Sequence, residues 1–252
     1  MWGKVLSTTD SMASIHGTVQ PFRYRGYVYD VETGLYYLRN RYYDPGIGRF
    51  YNVDIANSYN RFQYCTNNPL KNIDVTGTRA QPLYDPEKAV EFAINHYDCM
   101  DDYDLFYYEK NNNCARFVSA CLYAGFGDID SDDWHDRHLT SKNDVTPTWR
   151  LAKEQYKYLL NSGYVSDKFS FSDPYIIPFI IQDRVLRPGD IIYKQYINEK
   201  GVEAWHATII NRVTEEMVYY TADSDRRMDE PLTTMWNEGT DIVVHVLLMD
   251  NW

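Results

Sequence analysis

Asn113-Cys-Ala-Arg-Phe-Val-Ser-Ala-Cys-Leu-Tyr-Ala-Gly125 is the stretch on which the reading of the chain turns. Cys114, Val118 and Cys121 fall at i, i+4 and i+7, so they share one face of a helix that Gly125 stops. The three asparagines before it, Asn111 to Asn113, form a loop. Downstream, Arg187-Pro-Gly-Asp190 is a turn that leads into Ile191-Ile-Tyr193. Apolar runs over 204–213, 217–222 and 241–249 then read as strands. Upstream, Asp85-Pro-Glu87 opens a helix, with an acidic N-cap, Pro in the first turn and a stripe of Val90, Ala93, Ile94 and Tyr97. Another helix runs from Thr146-Pro147 through Trp149, Ala152, Tyr156 and Leu159 to Gly163. Helices first and strands afterwards describe an α+β domain with an antiparallel sheet.

The beginning of the chain is written differently. From Pro21 to Phe50 aromatic and polar residues alternate, with turn signals at Glu32-Thr-Gly34 and Pro45-Gly-Ile-Gly48. Period-two patterning between turns predicts a β-meander. Charge divides in the same place. Residues 1–80 hold nine Lys/Arg and six Asp/Glu, and the remainder holds 16 and 30. With 252 residues and a polar Gly/Pro stretch at Gly77-Thr-Arg-Ala-Gln-Pro82, the expectation is two units, 1–80 and 81–252.

A net charge of -11 argues against general nucleic-acid binding. No run approaches the ~18 apolar residues of a membrane span. Met1 to Gly17 lacks an apolar core, so no signal peptide is expected in this chain. Four irregularly spaced cysteines do not make a disulfide scaffold. His135 and His138 stand among acids at i, i+3 spacing, but no further ligand completes a metal set, and a solvated acidic loop is expected. Gly-rich phosphate loops are absent, so neither metal nor organic cofactor is expected. His245 reads as a packing residue of a strand, His16 and His96 have no recognisable context, and Cys65 and Cys99 read as structural.

Cys114 carries the chemistry. A thiol in the first turn of a helix feels the positive end of the macrodipole, which favours the reactive thiolate. His206, in Trp205-His-Ala-Thr-Ile-Ile210, opens an apolar strand and is the candidate acid/base. Asp223 ends the next strand and is the candidate orienter of the imidazole; it equally suits a turn that begins Asp223-Ser-Asp-Arg-Arg. The backbone N–H of Cys114 and the side chain of Asn113 are the oxyanion candidates. A helix-start cysteine with a strand-start histidine is the papain-like arrangement.

Two resemblances follow from these motifs. Phe22-Arg-Tyr-Arg-Gly-Tyr27, Asp30-x-x-x-Gly-Leu-Tyr-Tyr37, Arg41-Tyr-Tyr-Asp-Pro-x-x-Gly-Arg-Phe50 and Tyr64-x-x-Asn-Asn-Pro69 resemble the RHS repeat-associated core domain. That resemblance implies the conserved end of a secreted or surface-delivered bacterial protein, followed by a toxin domain with a cognate immunity protein as partner. Asp74-Val-Thr-Gly77 replaces the family's Asp-Pro-x-Gly. The Cys114 stretch, Pro188-Gly-Asp-Ile-Ile-Tyr193, Trp205-His-Ala-Thr-Ile-Ile210 and Ala222-Asp-Ser224 resemble an amidase family, a papain-like branch near the CHAP and NlpC-type cell-wall hydrolases. There Asp223 stands where the family has His. The implied activity is a cysteine amidase or peptidase acting on peptidoglycan peptides. Cleavage or deamidation of an intracellular protein, and a catalytically degenerate binding or surface module, stay open at this point.

Overall fold

The computed structural model describes residues 2–7, 20–53, 60–74, 76–78, 80–98, 113–127, 131–137, 144–183, 185–223, 226–237 and 239–249. His16, Cys99, Asn111, Asn112, His138 and Ser224 lie outside these. The chain divides into two compact units, residues 1–83 and 84–251.

In the first unit, β1 (Val28–Tyr29), β2 (Tyr36–Tyr37), β3 (Tyr42–Asp44) and β4 (Arg49–Phe50) form an antiparallel meander in chain order. A two-stranded ribbon of β5 (Asn72–Ile73) and β6 (Gln81–Pro82) accompanies it. Strands of two or three residues cannot hold themselves together, and the unit relies on its aromatics. Tyr27, Tyr36, Leu38, Tyr43, Phe50, Tyr64, Cys65 and Ile73 make its core. The rings of Tyr43 and Tyr64 lie 4.0 Å apart. Arg41 is buried, lies 3.5 Å over the Phe50 ring, donates to the Gly77 carbonyl and pairs with buried Asp74 at 3.4 Å. Asp74 in turn accepts from the Gly77 and Thr78 N–H groups at 2.7 and 3.1 Å. Gly77 sits at φ +72°, where a Cβ would meet the Leu38 carbonyl at 2.5 Å, so this clasp admits only glycine.

The second unit is mixed helix and antiparallel sheet, an α+β arrangement. Its helices are α1 (Pro86–His96), α2 (Cys114–Gly125), α3 (Pro147–Arg150), α4 (Ala152–Ser162) and α5 (Ile177–Gln182). Its strands are β7 (Val165–Phe171), β8 (Ile191–Ile197), β9 (Glu203–Val213), β10 (Val218–Ala222), β11 (Arg227–Pro231) and β12 (Thr240–Met249), in the order β11-β10-β9-β8-β12-β7. Strand alternation sends two sets of side chains to two apolar layers. Ile191, Tyr193, Ala207, Ile209 and Leu247 pack with α1, α2 and α4, while Ile192, Ile210, Tyr220, Val244 and Val246 pack with α5.

Asp85 caps α1, accepting from Lys88 N–H at 3.3 Å. The buried face of α1 is Ala89 and Ala93; Ile94, assigned to the apolar stripe, is 41% exposed, because it lies about 100° round the helix from Ala93 and faces a groove instead. Gly125 is the last residue of α2, but it is glycine for packing, since a Cβ there would lie 2.6 Å from the Tyr84 ring; the left-handed residue just past the helix is Gly127, at φ +71°. The helix expected from Thr146 to Gly163 is broken at Leu151, whose backbone is extended at φ -118°, ψ 119°. Among the described residues no helix is long and apolar enough to cross a membrane.

Candidate active site

Cys114 is the first residue of the 12-residue α2, keeps its thiol outside any disulfide, and is 6% exposed. Every residue from Cys114 to Leu122 is buried, so α2 runs through the core rather than over it. It lies against β9 and β10. Asn113 precedes it, also buried; its side chain makes no capping bond to the helix, and its carbonyl accepts from Phe117 N–H at 2.8 Å. Gly189 N–H and Ile210 N–H knit the Pro-Gly-Asp turn to β9, while the Asp190 carboxylate accepts from Arg187 N–H and Met249 N–H at 2.7 and 2.8 Å. Burial pushes Asp190 up to about 6 against the pull of those two amides. The turn thus pins β8, β9 and β12 beneath α2.

His206 lies in β9, half-buried, in register with Lys194 of β8. Its neighbours Trp205 and Ala207 both pack against the cluster that contains Cys114. Alternation therefore gives the helix side to Trp205, Ala207 and Ile209, and His206 leaves the strand beside Lys194. Alternation by itself does not set the imidazole on the sheet face that carries the thiol. Asp223 follows β10 directly and is 9% exposed. The pairing Thr221↔Ile209 carries it to the level of Ala207, on the helix side of the sheet. Its carboxylate is close enough to Cys121 to add to the upward push that burial gives that thiol. Its carbonyl accepts from Arg226 N–H at 2.8 Å, so the strand-end and turn readings of Asp223 both hold.

The other histidines correct the sequence reading. His135 is 7% exposed, not solvated. Its Nε2 lies 2.8 Å from Asp144 Oδ1 and its Nδ1 2.9 Å from the Ser131 carbonyl. Both partners are acceptors, an arrangement that favours the imidazolium, with both nitrogens donating. Burial alone would depress His135, yet these acceptors outweigh it and hold the group above its ordinary value. His245 packs within β12 as expected, and it is also hydrogen-bonded. Its Nδ1 and Nε2 meet Ser170 Oγ and Gln195 Oε1 at 2.7 and 3.0 Å, and its ring stacks on Trp205 at 8°. Burial depresses it, with Lys168 adding to the effect, which favours the neutral ring. Cys65 is buried and pushed up to about 12 by that burial.

Sequence reasoning missed Gln155. It is fully buried on α4 and joins Tyr193 of β8 to Ala115 and Ser119 of α2. No motif marks it, because its partners are some 40 residues away. Burial, with Cys114 adding to it, raises the Tyr193 phenol well above its ordinary range, which places the thiol and the phenol in one electrostatic neighbourhood. A groove of about 690 Å³ between α1 and the Arg187–Pro188 turn, lined by Glu87, Val90, Glu91 and Ile94, contains none of the three candidate residues. Among the described residues no group of three His, Cys, Asp or Glu side chains could hold a metal ion.

Similar proteins were found at two levels. The tRNA(Glu)-specific nuclease WapA of Bacillus subtilis subsp. natto is 28% identical over 179 residues, 68% of this chain and 7% of that protein. The tRNA nuclease WapA of Bacillus subtilis strain 168 is 40% identical over 30% of the chain and 3% of its own length. The double-stranded DNA deaminase toxin A of Burkholderia cenocepacia is 38% identical over 30% of the chain and 5% of its own length. The chain thus spans less than a tenth of these relatives. No solved structure gives a significant match. Residues 83–246, well over half of the chain, match the family model described as "Putative amidase domain", and the chain belongs to that family.

Proposed function

We propose that the second unit is a cysteine amidase or peptidase of papain-like type, and the effector domain of an RHS-type polymorphic toxin. The observation that carries this reading is a cysteine at the first position of a long buried helix that packs on β9 and β10. Cys114 attacks the amide carbonyl after passing its proton to His206. The imidazolium gives that proton to the leaving amine, and water hydrolyses the acyl-thioester. Asp223 steadies the imidazolium, and the Cys114 N–H with the Asn113 side chain receives the oxyanion. None of these steps needs a metal or organic cofactor.

Peptidoglycan peptide amides are the leading substrate, and delivery outside the producing cell with a cognate immunity protein is the setting. Membership of the amidase family supports the hydrolase, and a relative named as a toxin supports the setting. An intracellular protein that is cleaved or deamidated is the alternative substrate. Relatives named as tRNA nucleases make RNA a third arm of the test, although a net charge of -11 opposes binding to a phosphate backbone. Mass spectrometry of muropeptides, of a host-cell lysate and of bulk tRNA after incubation with wild-type and Cys114→Ala protein separates them. New muropeptides that vanish in the variant are expected. Cleaved tRNA from both proteins overturns the amidase reading, and equal inactivity on all three leaves a degenerate binding module.

A further inference from the structure

Gln155 spends both of its amide donors and one acceptor lone pair on one junction. Its amide offers two donor hydrogens and one acceptor oxygen. Nε2 donates to the Ala115 carbonyl at 2.8 Å and to Ser119 Oγ at 2.6 Å, and Oε1 accepts from the Tyr193 hydroxyl at 2.7 Å. Ser119 Oγ passes its own proton to the Trp149 carbonyl at 2.9 Å and accepts from Trp134 Nε1 at 3.0 Å. Gln155, Ser119, Tyr193 and Trp149 are fully buried. A satisfied polar network in a low-dielectric core is stiff, since any shift orphans a buried group.

The network is anchored at a chemically sensitive place. Ala115 is bonded directly to Cys114, so the first turn of α2 is tied through Gln155 to β8 and α4. That turn is where the first backbone N–H groups of the helix point out of its N-terminal end and where the helix dipole is felt. We infer that Gln155 is a positioning residue for Cys114: through the Tyr193–Gln155–Ala115 chain it holds the first turn of α2 on the sheet and sets both the thiol's reactivity and the pH at which it ionises. The inference rests on Cys114 being the nucleophile. Gln155 does not touch the reacting atoms, and its action is through the backbone that carries them.

Alkylation of the full chain by iodoacetamide between pH 5 and 10, followed at Cys114 by mass spectrometry, reads this out beside a thermal melt. Gln155→Met keeps the shape and removes every polar contact; the rate at pH 7 should fall roughly tenfold and the midpoint rise. Tyr193→Phe should move the midpoint in the same direction by less, and it decides the matter if Gln155→Met does not fold. Ser119→Ala loosens the same core without releasing Ala115; it should lower the melting temperature and leave the midpoint where it is. A midpoint unchanged in both Gln155→Met and Tyr193→Phe, with stability lost as in Ser119→Ala, makes Gln155 a packing residue only. A wild-type Cys114 that reacts no faster than Cys65 and Cys121 overturns the nucleophile itself, and this inference with it.

Discussion

The two units reach stability by opposite routes. The first has strands of two or three residues and leans on clustered tyrosine rings, mostly tilted or edge-to-face, and on a buried charge pair, Arg41 with Asp74. The second has strands of up to 11 residues between two apolar layers. The lesson concerns where a change is felt. A unit resting on a few contacts fails when one is removed, whereas a layered unit spreads a local insult and can carry buried polar groups such as Gln155 near a site.

The largest effect expected is therefore Arg41→Ala. It leaves Asp74 buried without its cation, and breaking such a pair costs about 3–5 kcal/mol. Hydrogen exchange at the amides of β2 and β3 should accelerate accordingly; unchanged exchange there would show that the tyrosine cluster alone holds the meander. A smaller loss is expected from Gly125→Ala in the layered unit. The new Cβ meets the Tyr84 ring and lies 3.1 Å from Ala89 Cβ, an overpacking worth roughly 1–3 kcal/mol by denaturant melts. A neutral result would mean that α1 slides freely along α2.

The smallest effect is a pH dependence. His135 is held above its ordinary value, so the stability it contributes is complete below about pH 6.5 and is lost as pH rises through its folded value. Asp144 is 41% exposed on its side chain, which keeps the pair below about 1 kcal/mol. Asp144→Asn should lower the melting temperature at pH 5.5 and do little at pH 9. A gap that grows with pH would reverse the assignment of His135 as an imidazolium.

What the sequence made legible was the interior. Asp85-Pro86 marks the start of α1, the Pro-Gly-Asp turn marks β8, and long apolar runs mark β9, β10 and β12. Both strands that escaped notice, β7 and β11, are the two edges of the sheet. Val165-Ser-Asp-Lys-Phe-Ser-Phe171 buries only Phe171, and Arg227-Met-Asp-Glu-Pro231 buries nothing; polar edge strands guard against pairing with another chain and give no apolar signal. The burial of His135 was hidden for a different reason, since its partner Asp144 follows nine residues later across a loop. The positions of the candidates Cys114, His206 and Asp223 in their elements were legible, and their acting together is the proposal made above. The side of β9 from which His206 departs was not, because alternation has to be counted against residues whose burial only the packed sheet reveals.

The pairing of Cys114 with His206 is the central claim. Iodoacetamide labelling of the wild-type chain near neutral pH, with each cysteine followed separately, addresses it. Burial pushes Cys65 and Cys121 up, so both should be nearly inert. Cys114 should label far faster than either, the advantage should collapse in His206→Ala, and it should survive in His245→Ala. A Cys114 as slow as Cys65, or one whose rate ignores His206 and falls with His245, would contradict the proposed catalytic pair.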